Sequence, residues 1–124
     1  MAPLKRLQKK YRDRDVEFLT VYVREAHPGE GAYREFSQPQ DFDQRLVYAR
    51  RLVAKEDFSC PVLVDEMDEA VHRQYGSLPN MVYVIDKTGK IAYKATWTLA
   101  EELDQILAKL AAMNRVYSLF SLLR

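Results

Sequence analysis

The sequence predicts an α/β fold, a mixed sheet with helices on both faces. Three observations carry this. Helix-periodic and strand-rich segments alternate as helix, strand, helix, strand, helix, hairpin, helix. The run "VEFLTVYV" (16–23) is apolar on both of its faces, the pattern of a strand buried on both sides. In "NMVYVIDKTGKIAYKATW" (80–97), two β-rich runs flank a short Gly-containing turn, which reads as a hairpin.

Each element has its own local reason. "PLKRLQKKYRDR" (3–14) reads as a helix, with Pro3 in the first turn and Leu4, Leu7 and Tyr11 on one stripe. Residues 28–40 hold Pro28, Gly29, Gly31 and Pro39 and read as a loop. A helix over 41–58 has Asp41 as N-cap, Phe42, Leu46, Ala49 and Val53 on a common face, and the Lys and Arg residues of 45–55 on an exposed one. "CPVLVDE" (60–66) is a second short strand, and 67–76 a short helix closed by Gly76, with His72 on its solvated side. Trp97 is expected to pack over the end of the hairpin. Thr98 and Glu101 form a capping box at the head of a last helix, whose stripe runs through Leu99, Leu103, Ile106, Leu110, Met113, Tyr117 and Phe120.

Composition narrows the function. The 124 residues fit one domain spanning 1–124, and 48% hydrophobic with 30% charged residues reads as globular. A formal net charge of +1 gives no electrostatic case for nucleic acid or a membrane surface. No secretory segment or apolar spanning run appears. One cysteine excludes an internal disulfide and fits a reducing, cytoplasmic setting. There is no CxxC, zinc spacing, glycine-rich phosphate loop or repeat, so no metal or nucleotide cofactor is expected.

The chemistry-bearing residues gather where strand 16–23 breaks off, in "VYVREAHPGE" (21–30). Ligands of open α/β sheets bind beyond the carboxyl ends of the parallel strands. That end receives Tyr22, Glu25 and His27. A hairpin strand running antiparallel returns Leu78 and Pro79 to the same place, while Cys60 begins the second strand at the opposite end. An imidazole exchanges protons near neutral pH, a carboxylate orients it, and a phenol donates a hydrogen bond to an anion or leaving group. A loop histidine bonded only to backbone is the alternative at His27, a small buried side chain the one at Cys60. A proline before an apolar strand, as at Leu78–Pro79, also suits a cis bond.

These segments resemble the thioredoxin superfamily and, within it, the iodothyronine deiodinase-like redoxins. "VYVREAHPGE" is similar to that family's Y-x-x-E-A-H-P segment, "CPVLVDEMDEAVHRQYG" to its C-P-V-x-V-D-x-M stretch and following helix, and "LPNMVYVIDKTGKIAYKATW" to its hairpin. The resemblance covers about residues 4–110. It implies a thioredoxin-like sheet and an oxidoreductase site with His27 as acid/base, Glu25 orienting it and Tyr22 assisting. Leu78, Pro79 and Trp97 would line the substrate groove, Pro79 standing at the superfamily's cis-proline position. The reaction implied is thiol or selenol redox chemistry, including reductive dehalogenation, with a thiol reductant and no bound cofactor.

Two departures accompany the resemblance. The family's first core strand and its cysteine or selenocysteine nucleophile have no counterpart here, which implies a silent or nearly silent chain. Trp97 stands where the family has an arginine and a glycine-rich loop, so thyronine recognition by that arginine is not expected. A non-catalytic binding or dimerisation module is the alternative. The missing strand implies unpaired neighbours at 16–23 and 81–86 and hence a homodimer, exchanged elements being one form of it; direct pairing of the two strands in a narrower sheet is the alternative. The reading frame is expected to continue upstream of Met1 through an apolar strand and a cysteine or in-frame UGA.

Overall fold

The structure is a computed structural model, and it describes residues 2–24, 37–76, 80–112 and 116–123. The elements in order are α1 (Ala2–Lys10), β1 (Glu17–Tyr22), α2 (Phe42–Glu56), β2 (Val62–Val64), α3 (Ala70–Tyr75), β3 (Val82–Asp86), β4 (Ile91–Ala95), α4 (Ala100–Ala112) and β5 (Val116–Leu123). They form one five-stranded sheet in the order β2-β1-β5-β3-β4. β1 runs parallel to β2 and β5, whereas β3 runs antiparallel to β4 and β5. The mixed α/β sheet expected from the alternation is therefore present, and β3 runs opposite to β1 as the hairpin reading requires.

The alternating side chains of β1 and β3 sort into two cores. One face joins Leu7 and Tyr11 of α1, Val16, Val82, Val84 and Leu103 and Leu107 of α4, with Phe18 packed against them. The other joins Val21, Val23, Met81 and Tyr83 with Val71 and Tyr75 of α3. On that second face, Tyr75 and Tyr83 meet edge to face at 5.1 Å and 82°. Gly76, at φ +130°, closes α3 where an added Cβ would lie 2.5 Å from the Met81 sulfur. The backbone angle is what calls for glycine there, and a side chain would in addition oblige the end of Met81 to move.

Local signals are met unevenly. Asp41 caps α2, its carboxylate accepting from Gln44 N at 2.8 Å. Asp86 organises the hairpin turn by accepting from Thr88 N, Thr88 Oγ1 and Lys90 N, with Gly89 at φ +84°. Those bonds, the Thr88 hydroxyl first, hold its carboxyl below the usual carboxylate range. Thr98 does not close a capping box among the described residues. Its hydroxyl and its N–H both go to the Asn80 carbonyl, tying the head of α4 to the start of β3.

The largest correction concerns the C-terminal segment. The last helix does not run on through Tyr117 and Phe120. It ends at Ala112, and residues 116–123 form a strand lodged between β1 and β3. That strand pairs with β1 from Glu17↔Ser118 to Tyr22↔Leu123 and with β3 from Val82↔Ser121 to Asp86↔Val116. The position expected to be empty is thus filled from within the chain, and β1 and β3 are paired on both edges. The reason is that an extended segment satisfies two otherwise bare strand edges at once, which a further two helical turns would not.

Tyr11 links the first and last helices. Its hydroxyl donates to Asp104 Oδ1 at 2.6 Å and to the Asp104 carbonyl at 3.1 Å, and Lys10 pairs with the same carboxylate at 2.9 Å. Burial, reinforced by the Asp104 bond, pushes the Tyr11 hydroxyl up to about 12. The bond from Tyr11, then that from Lys10, holds the Asp104 carboxyl below its ordinary value. A raised folded value favours the protonated tyrosine, so its contribution is complete below the ordinary value of 10.0 and is lost as pH rises through about 12. The Asp104 contribution has the opposite sense, present above 3.8 and lost as pH falls through its lower folded value. Urea midpoints should accordingly fall on the alkaline side, and Tyr11→Phe should remove part of that fall. An unchanged alkaline slope in Tyr11→Phe would contradict the coupling.

Candidate functional site

The registers bring four strand ends together. Tyr22 lies beside Val64 and Leu123, and Val82 beside Ser121 and Ala95. The carboxyl ends of β1, β2, β4 and β5 therefore share one edge of the sheet with the start of β3. Tyr22 is 2% exposed, and its hydroxyl has no hydrogen-bond partner among the described residues. An orphaned buried hydroxyl costs about 1–3 kcal/mol, so a bound acceptor would recover that penalty. Trp97 follows the end of β4 by two residues and is 56% exposed, so it does not cover the hairpin by packing as expected. Its exposed ring follows a strand that ends on the same edge as Tyr22. Glu25, His27, Leu78 and Pro79, the other expected site residues, lie outside the described residues, as does the Leu78–Pro79 bond.

Beside this edge stands a polar cluster not anticipated from the sequence. Arg45, on the first turn of α2, is 2% exposed, contrary to its expected place on a solvated face. Its Nη1 donates to the carbonyls of Asp65 at 3.0 Å and Glu66 at 2.7 Å, just past β2. Nη2 stands 3.7 Å from Glu69, while Nε has no partner among the described residues. Glu69 also faces Arg24 at 3.9 Å and His72 Nδ1 at 3.6 Å. His72 is buried at 8% exposure, not solvated. The buried Asp65 carboxylate accepts from Val71 N and His72 N at 3.1 and 3.0 Å and so caps α3 from six residues upstream. One signal was readable: Arg45 follows Phe42 by three and precedes Ala49 by four, which puts it on the apolar stripe.

Cys60 belongs to the other end of the sheet. Its sulfur accepts from Gln8 Nε2 at 3.4 Å and shares a proton contact of 3.4 Å with Thr20 Oγ1. It is half-buried, in a cleft of about 430 Å³ that Gln8, Arg12, Val16 and Pro61 help to line. Thr20 pairs with Val62, so Cys60 stands level with Phe18, four residues before Tyr22 and roughly 13 Å away along the strand. Among the described residues no three His, Cys, Asp or Glu side chains converge as a metal site.

Residues 1–110 match the iodothyronine deiodinase family. The chain belongs to that family. It is 35% identical to the type I iodothyronine deiodinase of Xenopus laevis over 82 residues, 63% of this chain and 32% of that protein. Against the thyroxine 5-deiodinases of Ovis aries and Sus scrofa it is 33% and 34% identical over 98 residues, 76% of this chain. This deiodinase-family chain spans about a third of the length of those relatives (33% and 32% of the two thyroxine 5-deiodinases). No solved structure matches it. The deiodinase match stops at residue 110, so β5, the strand at the middle of the sheet, lies beyond it. No helix among the described residues is long and apolar enough to cross a membrane.

Proposed function

We propose that this chain carries the acid–base and binding side of a deiodinase-type redox site acting on a small molecule or a thiol. His27 moves the proton, Glu25 orients it, Tyr22 donates a hydrogen bond, and Leu78, Pro79 and Trp97 form the groove. The specialised reaction is reductive deiodination. A thiolate or selenolate takes the iodine as the carbon–iodine bond breaks, and the ring carbon takes a proton. A second thiol then displaces iodide and leaves a disulfide or selenyl sulfide. The observation that supports this reading is the buried Tyr22 hydroxyl at the carboxyl edge of the sheet, unpartnered among the described residues.

The single cysteine stands at the opposite edge, so the chain by itself does not turn over. That same position of Cys60 favours a second reading, a binding module that uses the groove without redox chemistry.

Trp97 is the one tryptophan, and iodine quenches its fluorescence. An iodinated phenol should quench it saturably, and Tyr22→Phe should weaken the binding several-fold. With dithiothreitol the chain should release no iodide above the reductant alone. Adding a small selenol should give release that the chain accelerates; binding without acceleration favours the module. Iodide release abolished by Cys60→Ser would move the chemistry to the other edge and sink the proposal, as would quenching no different from that of free tryptophan.

A further inference from the structure

The sheet ends in two outer strands, β2 and β4, and only one is guarded. β4 carries Lys94, and a register shift between Val84 and Ile85 interrupts its ladder with β3. Charge and irregularity are common means of closing a sheet edge. β2 has neither: Val62, Leu63 and Val64 are all apolar, and only the shortness of the strand limits pairing. The ladder fixes which of its groups are free. Thr20 N donates to the Pro61 carbonyl and Asp65 N to the Tyr22 carbonyl, with Thr20 opposite Val62 and Tyr22 opposite Val64. In a parallel pair those bonds engage Pro61, Leu63 and Asp65 and turn the N–H and C=O of Val62 and Val64 outward. Among the described residues nothing pairs with those outward groups.

Beside that edge an apolar groove of about 300 Å³ runs between α2 and β2, lined by Leu46, Ala49, Arg50, Val53, Val62 and Val64. Leu63, 49% exposed, projects from the opposite face of the sheet. Arg50 is exposed and meets no carboxylate among the described residues. We propose that β2 and this groove dock an extended apolar segment of another protein, carrying a carboxylate side chain, as an added edge strand. Its backbone pairs with Val62 and Val64. Alternate side chains enter the groove, those between them lie by Leu63, and the carboxylate meets Arg50. Regularly spaced backbone groups call for a polypeptide, and an unpaired guanidinium at an apolar groove calls for an anion. A second copy fits less well, because its other outer strand, β4, brings Lys94 to the contact.

The probe is a capped peptide, acetyl-Val-Thr-Val-Thr-Glu-amide, titrated into the isotope-labelled full chain and followed by amide NMR shifts. The amides of Val62 and Val64 should shift saturably, with a dissociation constant of about 1 mM or below. Methylating the threonine nitrogens, or instead those of the valines and glutamate, gives two variants. One should lose binding and the other keep it, since only one set of N–H groups faces β2. Arg50→Glu should weaken the peptide several-fold and strengthen a counterpart ending in lysine. Equal binding by both methylated variants overturns the proposal, as does an Arg50→Glu chain that binds the glutamate and lysine peptides as the parent does. Absence of saturable shifts at Val62 and Val64 also overturns it, whether the peptide goes to β4 or binds nowhere. Shifts there that follow the chain's own concentration, without peptide, assign the edge to a second copy and overturn it too.

Discussion

Leu119→Pro should abolish cooperative folding. Leu119 lies opposite Phe18 on β1 and Val84 on β3, at the centre of the central strand. Proline there removes a ladder hydrogen bond and forces its ring against a neighbouring strand, a cost of about 3 kcal/mol or more. The loss is amplified because β5 is the strand that joins β2-β1 to β3-β4 within the sheet. Against a total stability of roughly 5–15 kcal/mol, the remaining margin is small or absent. Far-UV circular dichroism and urea titration read the result. A midpoint equal to the parent's would show that 116–123 are not in the sheet.

Arg45→Ala should cost about 3 kcal/mol, the second-largest effect expected. Its buried guanidinium satisfies the carbonyls of Asp65 and Glu66 and stands beside the partly exposed Glu69. Truncation leaves those acceptors bare, opens a void and removes one of the cations facing Glu69. The melting temperature should fall by roughly 10 °C. Arg45→Met, which keeps the stem but not the donors, should lose less, because packing is retained. A thermal melt of Arg45→Ala within about 1 kcal/mol of the parent would mean that the carbonyl bonds carry little weight.

What the sequence discloses depends on whether one local rule decides the element. The hairpin is legible because Asp86, Thr88 and Gly89 specify its turn from side chain and backbone alone. Likewise, Asp41 announces α2 by a bond to a residue three positions on. The segment after Ala112 is different. Val116, Tyr117, Leu119, Phe120, Leu122 and Leu123 recur at spacings of three and four, which continue a helical stripe, yet the same run is rich in residues that suit a strand. Only the two open edges at β1 and β3, remote in sequence, decide between these. Arg45 and His72 are obscured by their charge and polarity. Their burial depends on carbonyls and a carboxylate supplied by residues 65–69, which no local pattern reveals. At the candidate site, Tyr22 is legible from the strand that ends with it, whereas the lack of a hydrogen-bond partner for its hydroxyl among the described residues is a property of the folded surroundings.

The position of β5 also sets the order in which the chain can fold. Hairpin β3–β4 closes between neighbours in sequence, but Glu17 meets Ser118 only across nearly the whole polypeptide. Closing a loop of that length costs roughly 4 kcal/mol of chain entropy by the logarithmic scaling, incurred before any of the β1–β5 bonds can form. Such non-local pairing slows folding. During synthesis, β1 and β3 emerge well ahead of the strand that will lie between them, with apolar, unpaired edges. Until residues 116–123 leave the ribosome the sheet has no centre, and the nascent chain is at its most vulnerable to aggregation over that interval.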